Sequence, residues 1–178
     1  MVDPAIGHLL AISLALLLGS AGLHKWWARR EFQAILAAYR LLPAPAVRPV
    51  GYLLGMLEIA TALGLLSTAV RYASAVASAL FLTYAVALAI NLRRGRRDLD
   101  CGCGFARNRR PIGGWMLVRN ALLAGAAGIA AGAWSPRTLS GIDWMTVAGG
   151  VLAAVILYAC AELLLGRGDN RLEAVGAP

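Results

Sequence analysis

Metal and redox ligands are scarce in this chain: three cysteines and two histidines are spread over 178 residues. A structural zinc site needs four such ligands drawn together, so almost the whole supply would have to converge, and that site is disfavoured. Charge is scarce as well. Charged residues make up 15% of the chain against 60% hydrophobic, and mean hydropathy is +0.68, which excludes the mixture of a soluble globular domain. The N-terminal region has no Lys or Arg and carries Asp3 instead. Its apolar run also outlasts the core of a secretory signal, so the segment reads as a retained transmembrane helix. No lipidation box closes the chain, which ends at Pro178.

What is present is a series of long apolar runs. Five are long enough for a hydrocarbon core of about 30 Å, which takes about 20 helical residues: 5–26, 49–67, 71–92, 113–133 and 143–165. The remainder is too short and too charged to build a second core. The expectation is one integral membrane domain over residues 1–178, an all-α polytopic transmembrane bundle.

The +8 net charge is distributed as membrane topology requires and gives no sign of a nucleic-acid partner. Lys25, Arg29, Arg30, Arg40 and Arg48 follow the first run. Arg93, Arg94, Arg96, Arg97, Arg107, Arg109 and Arg110 follow the third, whereas Arg71 and Arg137 stand alone in the other connections. By the positive-inside rule the N-terminus lies outside and both arginine-rich connections face the cytoplasm, beside anionic lipid. Between the first two runs, Phe32, Ile35, Leu36, Tyr39 and Leu42 recur at helical spacing. This predicts an interfacial amphipathic helix over 29–42, ended by Pro43 and Pro45. Gly51 with Gly55, and Gly128 with Gly132, form small-xxx-small pairs suited to close helix packing.

Polar residues inside apolar runs are costly and mark paired or water-lined sites. The candidates are Lys25, Glu58, Asn91, Arg119 and Asn120. Glu58 and Arg119 are expected to meet as a buried ion pair, since each otherwise carries an unpaired charge in a low dielectric. Lys25 and His24 also read as interfacial residues, with Lys25 snorkelling toward water.

The connection over 93–111 holds Asp100-Cys101-Gly102-Cys103-Gly104-Phe105. Thiols at i and i+2 can join only if the backbone turns between them, and Gly102 permits that turn. A strained, exposed ring of this kind suits exchange better than stapling. Three readings follow: a thiol–disulfide oxidoreductase, with a lipid quinone as a further cofactor that a polar-cored bundle can hold; a Cu(I)-handling protein using Cys101 and Cys103, with Cys160 or His24 as a third ligand; or a non-catalytic subunit that docks a redox partner. Cys160 alone reads as an inert helix thiol.

Six stretches run in a recognisable order: Gly22-Leu23-His24-Lys25, Tyr39-Arg40-Leu41-Leu42-Pro43, Leu57-Glu58, Asn91-Leu92-Arg93-Arg94-Gly95-Arg96, the Cys-Gly-Cys segment, and Arg119-Asn120. Over roughly residues 5–130 the chain resembles the MauE family of methylamine-utilisation membrane proteins, within the DoxX-like group of redox-associated four-helix membrane proteins. The resemblance implies thiol–disulfide chemistry in the maturation of exported proteins, a thioredoxin-like or exported thiol partner, and residence in the bacterial plasma membrane. By position it matches Cys101 and Cys103 to the family's dithiol and Glu58 to its acidic residue in the second span. The fifth run lies outside the four-helix core.

Overall fold

The computed structural model describes residues 1–97, 99 and 112–175, the last eleven of these by backbone alone. Among the described residues six helices follow one another: α1 (Pro4–Trp27), α2 (Arg29–Ala38), α3 (Ala44–Leu65), α4 (Val70–Arg93), α5 (Gly114–Ala130) and α6 (Gly141–Val175). Among the described residues there is no strand, only an isolated bridge between Val2 and Trp134. The chain is an all-α polytopic membrane protein. Four helices (α1, α3, α4 and the Gly141–Leu164 part of α6) are long and apolar enough to cross a bilayer. α5 has 17 residues, about 26 Å at ~1.5 Å per residue. It stops short of the expected 113–133 because a turn begins at Ala131.

Helix ends follow local chemistry. Asp3 caps α1 by accepting from the Ala5 N–H at 2.8 Å, with Pro4 in the first turn, where a missing N–H costs nothing. The interfacial helix is realised as α2, shorter than 29–42. It stops at Ala38, ahead of Pro43 and Pro45, which were expected to end it and instead open α3, a helix that begins five residues before the expected 49. Arg40, in the turn between them, has φ of 51°, a left-handed conformation that a residue with a Cβ rarely adopts.

α1 packs chiefly on α3, and α4 on α5. Their shared core is Ala11, Leu14, Ala15 and Leu18 of α1, Ala62 and Leu65 of α3, Ala73, Ala77 and Phe81 of α4, and Ala124 and Ala127 of α5. Alanine dominates because lipid gives apolar side chains no drive to associate, so close backbone approach must supply the attraction. α6 rests mainly on α1, and only 6% of its apolar window is buried. Of the small-residue pairs, Gly51 and Gly55 do pack. A Cβ on Gly128 would meet nothing within 4 Å, so Gly128 and Gly132 do not form a helix-packing face.

The two ends of the bundle differ. At the N-terminal end of α1, Val2 exchanges backbone bonds with the α5–α6 connection (Val2 N–H to Ala133 O and Ser135 N–H to Val2 O, each 2.9 Å). Arg137 there donates to Asp3 at 3.1 Å and Asp143 at 3.0 Å. The opposite end gathers the polar candidates.

Candidate functional site

Three helices bring one polar group each to a common point. Gly22 of α1 and Gly55 of α3 face each other so closely that a Cβ on Gly22 would lie 3.1 Å from the Gly55 carbonyl and 2.8 Å from Ile59 Cγ1. That crossing sets Lys25, one turn on along α1, against Glu58, one turn on along α3. Lys25 Nζ donates to both Glu58 carboxylate oxygens at 2.8 Å. Tyr84 of α4 donates its hydroxyl to Glu58 Oε1 at 2.7 Å. Lys25 is 3% exposed and Glu58 1%. The ammonium also sits 5.1 Å from the Phe32 ring centre and 5.5 Å from that of Tyr84, so aromatic faces supplement its carboxylate partner.

Two expectations are thereby corrected. Lys25 does not snorkel, and it is Lys25 and Tyr84 that hold Glu58 where Arg119 was expected. The reason is position: α3 packs on α1, α2 and α4, while α5 packs on α4 and α1. Arg119 turns instead to Glu162 of α6, donating at 2.7 Å. Glu162 and Tyr84 are functional candidates that sequence reasoning passed over. Each carried a signal, a second carboxylate and a phenol inside apolar runs.

Beside the ion pair lies a cavity of about 220 Å³. Phe32, Ile35 and Leu36 of α2 and Tyr39 just beyond it line one side, while Val50 and Leu54 of α3 and Ala87 and Leu88 of α4 line the other. Its polar groups come from Lys25, Tyr39, Tyr84, Thr83 and Asn120. Asn120 uses one amide N–H on the Met116 carbonyl at 2.8 Å.

The roots of the Cys-Gly-Cys connection sit on the same wall. The Ile112 N–H donates to the Arg97 carbonyl at 2.9 Å, closing the base of the connection. Ile112 and Leu99 pack with Tyr39, Leu88 and Met116, and the first two of those three also line the cavity. Asn91, fully buried, bonds the Ala87 carbonyl at 3.1 Å and receives Arg96 at 3.3 Å. Arg96 also reaches the Tyr39 carbonyl at 3.4 Å. Asn91 thus joins the end of α4 to the connection's first residues. Cys101 and Cys103 themselves lie outside the described residues. Cys160 is a free, exposed thiol on α6, and His24 is half-buried in the last turn of α1. Among the described residues no three His, Cys, Asp or Glu side chains are grouped as metal ligands.

An all-α bundle that buries an ion pair beside an apolar cavity, under an interfacial helix, defines a multi-pass membrane protein with an internal site. The profile of one family, described as "Methylamine utilisation protein MauE", matches residues 3–135. A protein named "Methylamine utilization protein MauE" from Methylophilus methylotrophus is 35% identical over 173 residues, covering 92% of this chain and 88% of its own. The protein of that name from Paracoccus denitrificans is 37% identical over 170 residues, covering 93% and 90%. The chain belongs to the MauE family. The profile ends before α6, although the alignments with both relatives extend over about nine-tenths of the chain. No solved structure matches.

Proposed function

We propose that this chain is a single-domain thiol–disulfide redox protein of the bacterial plasma membrane, serving methylamine utilisation by helping exported proteins mature. Cys101 and Cys103 form its reversible pair and exchange with a thioredoxin-like partner. The observation that carries the reading is the anchoring of Leu99 and Ile112 in the cluster that walls the buried Lys25–Glu58 site. Leu99 stands two residues before Cys101 in the sequence, and the cluster it joins shares Tyr39 and Leu88 with the cavity that Lys25 lines. The arginine-rich end, which includes Arg29, Arg30, Arg93 and Arg94, is assigned to the cytoplasmic face by its positive charge.

Thiol exchange proceeds through a mixed disulfide, which persists when the resolving thiol is missing. In cells, the Cys101→Ser or Cys103→Ser variant is expected to trap one partner covalently and to abolish methylamine-dependent growth, while Cys160→Ser grows normally. Copper or zinc bound stoichiometrically, lost on replacing either cysteine, with no disulfide in any redox buffer, would replace this reading by metal handling.

A further inference from the structure

We infer that the cavity beneath α2 binds a neutral, lipid-soluble quinone. Its polar groups exclude charged occupants. The Lys25 ammonium is already balanced by Glu58, so an anion finds no net positive charge and a cation no unused carboxylate. What remains is donor capacity: an ammonium has three N–H groups, and two of those on Lys25 are committed to Glu58. Asn120 likewise has an amide N–H beyond the one spent on Met116. Both residues border the cavity, and apart from Thr83 its other lining side chains are apolar or aromatic. A carbonyl oxygen on a flat, uncharged ring satisfies such donors, and the rings of Phe32, Tyr39 and Tyr84 supply faces for it.

The route in is through lipid. Leu41, Leu42, Val50 and Leu54 on the rim are half-exposed and Thr83 is exposed, so the cavity opens on the side of the bundle where acyl chains lie. Its volume, about 220 Å³, is below the ~300 Å³ at the small end of ligand pockets. It holds a ring and the start of a tail whose remainder lies in the bilayer.

The choice of a quinone among neutral lipids rests on the redox reading of Cys101 and Cys103, for which a quinone is a two-electron acceptor carried in the membrane. The step balances. Two S–H bonds break and one S–S bond forms, and the two electrons and two protons convert both quinone carbonyls to the hydroxyls of the quinol.

The full-length protein in lipid nanodiscs would be titrated with decylubiquinone, followed by the quenching of tryptophan fluorescence. The expected result is saturable binding at one per chain, unchanged in the Cys101→Ser/Cys103→Ser variant. Leu54→Trp and Ala87→Phe, which fill the cavity and leave Lys25 and Glu58 in place, should each weaken binding at least about tenfold, with thermal unfolding showing that they fold. Under anaerobic conditions the reduced wild-type protein should then yield one quinol per disulfide. Absence of saturable binding, or equal affinity in both filled variants, overturns the site, while trapped mixed disulfides would still stand for the thiol reading. Binding without thiol oxidation overturns the acceptor role.

Discussion

The bundle carries an ion-paired cluster at each end, and the two could hardly be placed more differently. At one end Lys25 and Glu58 are almost wholly removed from solvent. At the other, Arg137 and Asp3 are 43% and 41% exposed at the side chain. The exposed cluster joins groups that water or headgroups would otherwise solvate, so it fastens the N-terminus to the α5–α6 connection at little cost and for little gain. The buried pair has to overcome desolvation first, and replacing such pairs by apolar residues is often neutral or better for stability. Stability alone therefore does not account for an ammonium and a carboxylate at the junction of three helices. Lys25 of that pair also lines the cavity beneath α2.

The sharpest way to break this contrast is to remove one member, then both members, of the buried pair. Glu58→Leu leaves the Lys25 charge without its carboxylate, a situation that costs about 3–5 kcal/mol in buried pairs. Lys25→Met/Glu58→Leu should recover most of that loss while still failing in methylamine-dependent growth. Thermal unfolding of wild type, Lys25→Met, Glu58→Leu and the double variant in one detergent gives the coupling directly. Simple additivity would show that Lys25 and Glu58 do not depend on each other.

The origin of that pair also explains how far the sequence could be read. Hydropathy was sufficient for α1, α4 and the apolar part of α6, because length and composition are all that a bilayer demands of a helix. The residues of the site were visible too, since charge inside an apolar run is rare. Their partners were not. Charge arithmetic states that Glu58 needs a cation without saying whether it is Lys25 or Arg119, and helix register decides. α3 starts at Ala44, and a Cβ on Gly51 would touch Gln33, Leu36 and Phe32 of α2. The first turns of α3 therefore lie against α2 at the surface, which places Glu58 level with the last turn of α1. A helix starting at 49 would set the same carboxylate elsewhere. Tyr84 was hidden for a related reason: a phenol in an apolar run is ordinary until a carboxylate is known to lie beside it.

A smaller effect tests the crossing that creates the buried site. Gly22→Ala puts a methyl group against the Gly55 carbonyl, a backbone atom that cannot swing aside. Separating α1 from α3 should cost about 1–3 kcal/mol and weaken Lys25–Glu58 contact. Gly128→Ala is the matched control, because its Cβ enters open space and gains up to about 1 kcal/mol of helix propensity. Equal unfolding temperatures for the two variants would show that the glycine crossing does not hold the pair in place.

The smallest effect belongs to the exposed cluster, and acid brings it out. Hydrogen bonds from Arg137 and, secondarily, from the Ala5 N–H hold the Asp3 carboxyl below its ordinary value. A lowered folded pKa means that the unfolded chain binds the proton more readily. Asp3 therefore contributes fully above the unfolded value of about 3.9, and the contribution disappears as pH falls through the lowered folded value. The readout is local, because Val2 and Ser135 hold the same junction through their backbone bonds. In wild type, hydrogen exchange at these two amides, corrected for its intrinsic pH dependence, should accelerate as pH drops below about 4. In Arg137→Gln it should be faster at neutral pH and respond less to acid, since the main bond that depresses Asp3 has gone and only the one from the Ala5 N–H remains. Parallel acid responses in the two proteins would mean that Asp3 does not fasten this end, and the Lys25–Glu58 end should stay protected throughout in both.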